Sequence, residues 1–172
     1  GVVGPRTGPA AATGAAFDEG IKLAMEYVNS KGGVMGKKLE VVFEDTAGAP
    51  DKAASGFERL VTRDKVVMVL GESHSSSALA EIEIANRLKV PFIVAEAWAD
   101  EISAKNYPYV FRAGPSNSGV VMQSIAKWVQ AEKFKKAFII AENTDWGIGI
   151  GKLTENALTK AGIPFESMIT ER

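Results

Sequence analysis

The segment 71–75 reads Gly-Glu-Ser-His-Ser and follows an apolar run, so it has the outline of a nucleophile elbow. Such an elbow places a reactive serine on a strained turn between a strand and a helix. Two features oppose hydrolysis. Ser75 replaces the second glycine of the motif, and the one histidine of the chain, His74, lies inside the turn rather than downstream, where a triad base is expected. A serine hydrolase therefore remains only a remote alternative, and we predict no catalytic residue.

The three consecutive serines at 75–77 favour a binding role for the same turn. A serine at a helix N-terminus can satisfy a free backbone N–H, and unpaired amides together with the helix dipole attract an anion. In an open parallel sheet, this turn lies at the carboxyl end of a strand, where such folds usually bind ligands. Capping alone would explain one serine. Three beside a glycine turn indicate a ligand site at a helix that begins near Ser75.

Two tryptophans follow later apolar runs in the same way. Trp98 comes after the run 91–95, and Trp146 comes after the run 137–141 and just before a predicted helix. Trp98 could be a wall for an apolar or aromatic ligand, and an ordinary partly buried tryptophan explains it equally well. Two tryptophans at the mouths of two lobes suggest a cleft that closes on a ligand.

Cofactor and metal signatures are weak throughout the sequence. The glycines of the segment 147–151 lack the spacing of a dinucleotide-binding loop. Glu72 and His74 offer two ligands where a metal site needs more. The chain has no cysteine, which excludes disulfides and cysteine-based metal or redox sites. We predict no cofactor and no metal.

A repeating α/β pattern must position these residues. Strands are predicted at 2–3, 39–43, 66–70, 91–95 and 109–112, separated by helices that begin near Thr13 as N-cap, near Pro50 and near Ser75. This order predicts a doubly wound α/β fold with a parallel sheet. The segment 113–119, rich in glycine, serine and proline, interrupts the rhythm, and a helix, a strand, a helix and a strand follow it. We predict one α/β lobe over 1–113, then a hinge crossing and the opening βαβ of a second lobe over 114–172.

Charge and hydropathy exclude several partner classes. The 20 basic and 21 acidic residues give a net charge of -1, and no basic run exceeds a pair. Nucleic acid and anionic membrane surfaces are therefore poor partners. No apolar stretch approaches the ~20 residues of a spanning helix, so membrane insertion is not expected.

Short stretches along almost the whole chain form a recognisable set: Gly8-Pro9, Gly20-Ile21-Lys22-Leu23-Ala24, Asn29-Ser30-Lys31-Gly32-Gly33-Val34-Met35-Gly36, Asp45 with Asp51-Lys52-Ala53, Gly71 with Ser75-Ser76, Val90-Pro91-Phe92-Ile93, Val110-Phe111-Arg112 and Trp146-Gly147. Together they resemble the type I periplasmic solute-binding proteins, and in particular the Leu/Ile/Val-binding receptors of ABC importers. The Asn-x-x-Gly-Gly-x-x-Gly turn is the most specific part.

The resemblance implies a non-enzymatic periplasmic or extracellular receptor that holds a small ligand between two lobes and presents it to an ABC permease. It implies that the chain carries most of the first lobe and the start of the second. A ligand-sensing regulatory domain of the same fold, binding an amide or an amino acid, is the alternative.

The resemblance also implies roles for particular residues. Ser75 corresponds to the serine that binds the ligand carboxylate, with help from the amides that follow, including that of Ser76. Glu96 and Ala97 fall where backbone groups face an amino acid's ammonium. Trp98 stands where amino-acid binders usually have threonine. Thr13 and Trp146 fall at positions that often carry aromatic residues lining the cleft. The expected ligand is a small amino acid or an organic or aromatic carboxylate.

Overall fold

The computed structural model describes residues 1–132 and 134–171, and these form two parallel sheets. The first sheet has the strand order β2-β1-β3-β4-β5, with β1 at Val2–Gly4, β2 at Phe43–Asp45, β3 at Val69–Gly71, β4 at Phe92–Val94 and β5 at Val110–Arg112. The second sheet pairs β6 (Ala137–Glu142) with β7 (Phe165–Thr170). Every strand pair is parallel, which confirms the predicted doubly wound α/β class.

Helices connect the strands, as such a fold requires. They are α1 (Ala11–Ser30), α2 (Pro50–Thr62), α3 (Ser75–Leu88), α4 (Glu101–Ala104), α5 (Asn117–Val120), α6 (Ala126–Glu132) and α7 (Asp145–Ala161), with a π-helical turn over Val121–Ile125. Pro50 opens α2 because the first helical position needs no N–H donor. Among the described residues, no helix is both long and apolar enough to cross a lipid bilayer.

The main core lies between the five-stranded sheet and the helices α2 and α3. Phe57 of α2 and Phe92 of β4 are fully buried and meet edge to face, with ring centroids 5.1 Å apart. Ala53 of α2 and Ala78 of α3 are also fully buried, and side chains this small allow two helices to approach closely. Burying one large apolar side chain stabilises the folded state by about 1.5–3 kcal/mol. This packed layer therefore holds the sheet in place, and with it the polar turns that follow its strands.

Several predicted boundaries were wrong by a few residues. Thr13 is not an N-cap, because α1 already begins at Ala11 after Ala10, in a run of alanines, the best helix formers. The strand predicted at 39–43 forms at Phe43–Asp45, because the Asn29 side chain donates to the Leu39 carbonyl and accepts from its N–H. The strand predicted at 66–70 is Val69–Gly71, because the Val66 N–H is bonded to Leu60 at the end of α2.

The second sheet carries the elements that follow the connection after β5. Residues 113–116 join β5 to α5, and α7 crosses back to contact α3 of the first layer. A smaller buried cluster around Val129, Leu158 and Ile163 holds α6 and α7 to β6 and β7. The division of the chain after residue 113 stays a prediction.

Candidate functional site

The turn after β3 is strained, as an elbow requires. Gly71 has φ +137° and Glu72 has φ +65°. A Cβ at position 71 would lie 2.0 Å from the Val3 carbonyl oxygen, so only glycine lets β3 turn here against β1. The fully buried Glu72 carboxylate holds the next residues, because its Oε1 accepts the N–H groups of Ser73 and His74, each at 2.9 Å. The turn is therefore shaped by an internal carboxylate.

This turn does not provide a catalytic triad. Ser73 Oγ lies 3.3 Å from His74 Nδ1, and Glu72 Oε1 lies 3.4 Å from the same nitrogen. A triad histidine uses one ring nitrogen for the serine and the other for the carboxylate. Because both contacts here fall on Nδ1, the geometry gives the hydrolase hypothesis no support.

The helix α3 begins one residue earlier than a Ser75 cap would place it. His74 is the N-cap residue and its side chain makes no capping bond, while Ser75 is the first helical residue. The first intrahelical bond runs from Ala78 N to the His74 carbonyl at 2.9 Å. The N–H groups of residues 75–77 precede that bond and are the ones a helix leaves for capping groups, water or ligand. They constitute the anion-attracting end of α3.

The Ser75 hydroxyl braces the loop after β4. Its Oγ accepts the N–H groups of Trp98 at 3.2 Å and Ala99 at 3.1 Å, and Ser75 is only 3% exposed. A hydroxyl has two acceptor positions and one proton, so only the proton of Ser75 is left for a ligand. Ser75 can therefore donate to an anionic oxygen but cannot accept from an ammonium group.

Two adjoining cavities open at this edge of the sheet, and we call their combined space the cleft. One, of about 190 Å³, is lined by Gly48, Ser73, His74, Ser75, Ser76, Glu142, Thr144 and Trp146. The other, of about 240 Å³, is lined by Ala10, Thr13, Ser73, His74, Glu96, Trp98 and Trp146. Because Ser73, His74 and Trp146 line both cavities, one ligand could contact both.

The cleft brings together most of the residues that the sequence singled out. These are Thr13, Ser75, Ser76, Glu96, Trp98 and Trp146. Ala97 is not among the lining residues. It is fully buried, and its carbonyl accepts a hydrogen bond from the Arg112 guanidinium at 3.0 Å. Ser77 is also fully buried, so the third serine does not reach the cleft.

Sequence reasoning did not assign Gly48, Glu142 and Thr144 to the site. Gly48 has φ +71°, and a Cβ there would lie 3.2 Å from the His74 ring, so glycine keeps this wall thin. Thr144 is the N-cap of α7, and its Oγ1 accepts the Gly147 N–H at 3.1 Å and contacts Glu142 Oε1 at 2.9 Å. For Thr144 the signal was its residue type, since a threonine between an apolar run and a predicted helix is a candidate N-cap.

The N-termini of α3 and α7 both reach the cleft. Each helix is long, with 14 residues in α3 and 17 in α7, so both dipoles favour negative charge there. The carboxylates of Glu142 and Glu96 line the same space and provide acceptors for a hydroxyl or an ammonium group. The cleft therefore suits a small molecule with a carboxylate at one end and a donor at the other.

The two tryptophans form the apolar part of the cleft. The rings of Trp98 and Trp146 meet edge to face, with centroids 6.4 Å apart and an angle of 73°. Trp146 is 38% exposed, whereas the Trp98 Nε1 atom is buried and has no acceptor within the described part of the chain. Aromatic rings in this arrangement accept a flat third ring by stacking or edge contact.

Asp45 joins the loop after β1 to the loop after β2. Its carboxylate accepts from Thr7 Oγ1 at 2.6 Å and from the N–H groups of Arg6 at 2.8 Å and Ala47 at 2.9 Å. Burial alone would raise the pKa of Asp45, but the hydrogen bonds from Thr7, Ala47 and Arg6 outweigh it and lower the pKa to about 2. The group stays ionised and holds the β1 and β2 loops together.

Behind the cleft, α3 buries a carboxyl group. Glu81 is fully buried, and neither of its carboxyl oxygens has a hydrogen-bond partner in the described residues. Burial, followed by the charge of Glu72, raises the pKa of Glu81 well above its usual value. Within residues 1–132 and 134–171, no three histidine, cysteine, aspartate or glutamate side chains come close enough to hold a metal ion.

Comparison with known proteins identifies the class of protein to which this fold belongs. A family profile described as periplasmic binding protein matches residues 1–168, so the chain belongs to the periplasmic binding protein family. The fold and the turn motifs agree with the predicted type I, Leu/Ile/Val-binding-protein-like branch. One relative is the leucine-, isoleucine-, valine-, threonine- and alanine-binding protein of Pseudomonas aeruginosa, which is 32% identical over 94% of this chain and 43% of its own length.

Solved structures show the same similarity. The solute-binding protein of an ABC transporter from Rhodopseudomonas palustris BisB5, in complex with 3,4-dihydroxybenzoic acid, has a TM-score of 0.85 and 28% identity over 99% of this chain and 46% of its own. An ABC transporter solute-binding protein from R. palustris in complex with benzoate has a TM-score of 0.88 and 26% identity over 99% and 47%. The chain thus spans about half the length of the proteins it matches.

Proposed function

We propose that this chain acts as an extracytoplasmic solute receptor of an ABC importer and captures a small carboxylate in the cleft. The observation that carries the proposal is the α3 N-terminus, where the Ser75 hydroxyl has only its proton left to donate and the amides of 75–77 precede the first helical bond. A carboxylate docked there would accept from this proton and from the amide of Ser76, and the helix dipole would favour its charge.

The ligand class that fits best is a flat aromatic acid, with branched aliphatic amino acids second. The rings of Trp98 and Trp146, with centroids 6.4 Å apart, offer both a face and an edge, which suits a planar ring better than a branched chain. Benzoate and 3,4-dihydroxybenzoate are the ligands of two proteins similar to this chain. Glu96 and Glu142, which line the cleft, would accept from ring hydroxyls or from an ammonium group.

The role is binding rather than catalysis. In this proposal, a ligand that touches Ser75 on one side and Trp146 on the other favours the closed arrangement of the two sheets, and the closed form is presented to a permease in the periplasm or at the cell exterior. Family membership and the two-sided lining of the cleft support this role.

A thermal-shift titration with sodium benzoate, 3,4-dihydroxybenzoate and leucine tests the proposal, with benzamide as the uncharged match of benzoate. A ligand that binds only the native state stabilises it by RT ln(1 + [L]/Kd), so millimolar ligand reveals even weak binding. We expect benzoate to raise the Tm and benzamide to have a much smaller effect. Equal shifts with benzoate and benzamide, or no shift with any carboxylate, would refute the carboxylate site.

A further inference from the structure

Asn117 connects the two tryptophans of the cleft through their backbones. Its own N–H donates to the Trp98 carbonyl at 2.7 Å, and its side-chain Nδ2 donates to the Trp146 carbonyl at 3.2 Å. Asn117 is 1% exposed and stands at the start of α5, immediately after the connection between the two sheets. One buried residue therefore contacts the segment that carries each aromatic wall.

Several hydrogen bonds hold the Trp98 side of this connection. Arg112 donates to the carbonyls of Ala97 and Pro115 at 3.0 and 2.9 Å, which fastens residues 113–116 to the loop after β4. Asp100 in that loop accepts from the N–H and the hydroxyl of Ser118 at 3.2 and 2.9 Å. These hydrogen bonds therefore connect the backbone around Asn117 directly to the loop that carries Trp98.

On the other side, a single hydrogen bond joins Trp146 to α5 among the described residues. The Asn117 side-chain amide donates it. The amide is packed against α7 so closely that a Cβ at Gly149 would lie 2.8 Å from Asn117 Nδ2. The N–H groups of a neutral amide can satisfy a carbonyl, and a carboxylate in the same place would repel it. The hydrogen bond to the Trp146 carbonyl therefore requires an amide side chain as long as that of asparagine at position 117. It also requires glycine at position 149, where a larger residue would crowd the amide.

We propose that Asn117 is a positioning residue that sets the separation of the Trp98 and Trp146 rings, and through it the width of ligand that the cleft accepts. The ligand part of this inference rests on the proposed function, whereas the ring geometry does not. A path of hydrogen bonds runs from Ser75 to the Trp98 N–H, from the Trp98 carbonyl to Asn117, and from Asn117 to Trp146. The carboxylate-binding end and the far aromatic wall are thereby held in one frame.

The first test needs no ligand. Indoles 6.4 Å apart couple their electronic transitions, and the circular dichroism of the pair depends on their separation and angle. The difference between the spectra of the unsubstituted chain and Trp146→Phe isolates this signal from that of Trp128. We expect Asn117→Asp to lose most of the pair signal, because it removes the donor and keeps the shape. Asn106→Asp, the same change at an exposed asparagine outside the cleft, should keep it.

A second variant leaves Asn117 itself unchanged. Gly149→Ala pushes on the amide through the added Cβ while raising helix propensity, so it should fold and still lose the pair signal. Gly20→Ala is the matched control. Gly20 lies in another helix, α1, and a Cβ added there would have no neighbouring atom within 4 Å. Retention of the unsubstituted spectrum by a folded Asn117→Asp or by Gly149→Ala would overturn the proposal.

The ligand arm measures the affinity of each variant for benzoate and for leucine. Loss of one hydrogen-bonded tie of ordinary strength should weaken benzoate binding about five- to tenfold, and leucine binding less. A uniform loss for both ligands would overturn the assignment of ligand width to Asn117. If the unsubstituted chain binds none of the carboxylates of the thermal-shift titration, the proposed function fails, while the ligand-free spectra still decide the role of Asn117.

Discussion

The Ser75 hydroxyl gives the sharpest prediction about the cleft, because it both builds the site and faces the ligand. In Ser75→Ala, the N–H groups of Trp98 and Ala99 lose their acceptor, and Ala99 is completely buried. An unsatisfied buried donor costs about 1–3 kcal/mol, and the half-buried Trp98 amide falls at the low end of that range. We expect the free energy of unfolding to drop by about 2–4 kcal/mol.

Urea unfolding followed by circular dichroism measures this drop, with Ser76→Ala as the matched control. Both changes replace serine by alanine in the first turn of α3, so the effect on helix propensity is nearly the same. Ser76 is partly exposed, and its substitution should change the free energy of unfolding by less than about 0.5 kcal/mol. Equal stabilities for Ser75→Ala and Ser76→Ala would refute the bracing role.

The same variant separates bracing from binding. A hydrogen bond to a charged group is worth about 1.5–3 kcal/mol, so loss of the Ser75 proton should weaken a bound carboxylate roughly 10- to 100-fold. Ser75→Thr keeps the hydroxyl and should restore most of both properties. A Ser75→Ala variant that is destabilised but binds benzoate with undiminished affinity would show that the hydroxyl serves the fold alone.

Two buried or bonded carboxyls predict opposite dependences of stability on pH. The raised pKa of Glu81 means that its folded form keeps a proton, so stability is full below the unfolded pKa and falls as the pH rises through the folded value. Glu81→Gln should therefore lose this fall, whereas Glu19→Gln, at an exposed position of α1, should keep it in urea unfolding between pH 4 and pH 9. The pKa of Asp45 is lowered to about 2, so its contribution is present above about pH 4 and is lost as the pH falls towards that value. Asp45→Asn should be destabilised at neutral pH, and the difference should shrink in acid; a constant difference would contradict the assignment.

The sequence predicted the alternation of strands and helices well because apolar runs and glycine or proline breaks are local signals. The start of α2 at Pro50 and the end of α7 before Gly162 follow from the chemistry of single residues. The wrong strand boundaries have a common cause. The Leu39 N–H donates to the Asn29 side chain, and the Val66 N–H donates to the Leu60 carbonyl. Both hydrogen bonds depend on the folded positions of the preceding helices.

The candidate site was only partly predictable, for a related reason. Ser75, Trp98 and Trp146 could be placed at strand ends, and parallel topology brings strand ends to one edge. The contributions of Gly48 and Glu142 depend on how closely the loops approach His74 and Thr144, which no spacing along the chain encodes. Asn117 gave no signal because its role lies in two contacts to backbone carbonyls.

The buried carboxylate of Glu72 explains why the binding end lies at Ser75 rather than at Ser73. Its Oε1 takes up the N–H groups of residues 73 and 74, so these amides cannot serve a ligand. The next amides belong to the N-terminus of α3, where the helix dipole favours negative charge. An internal carboxylate thus occupies the elbow, and an external carboxylate is directed one step further along the chain. The strained turn of Gly71 and Glu72 contributes to this arrangement, because it directs the chain so that the N-terminus of α3 lines the cleft.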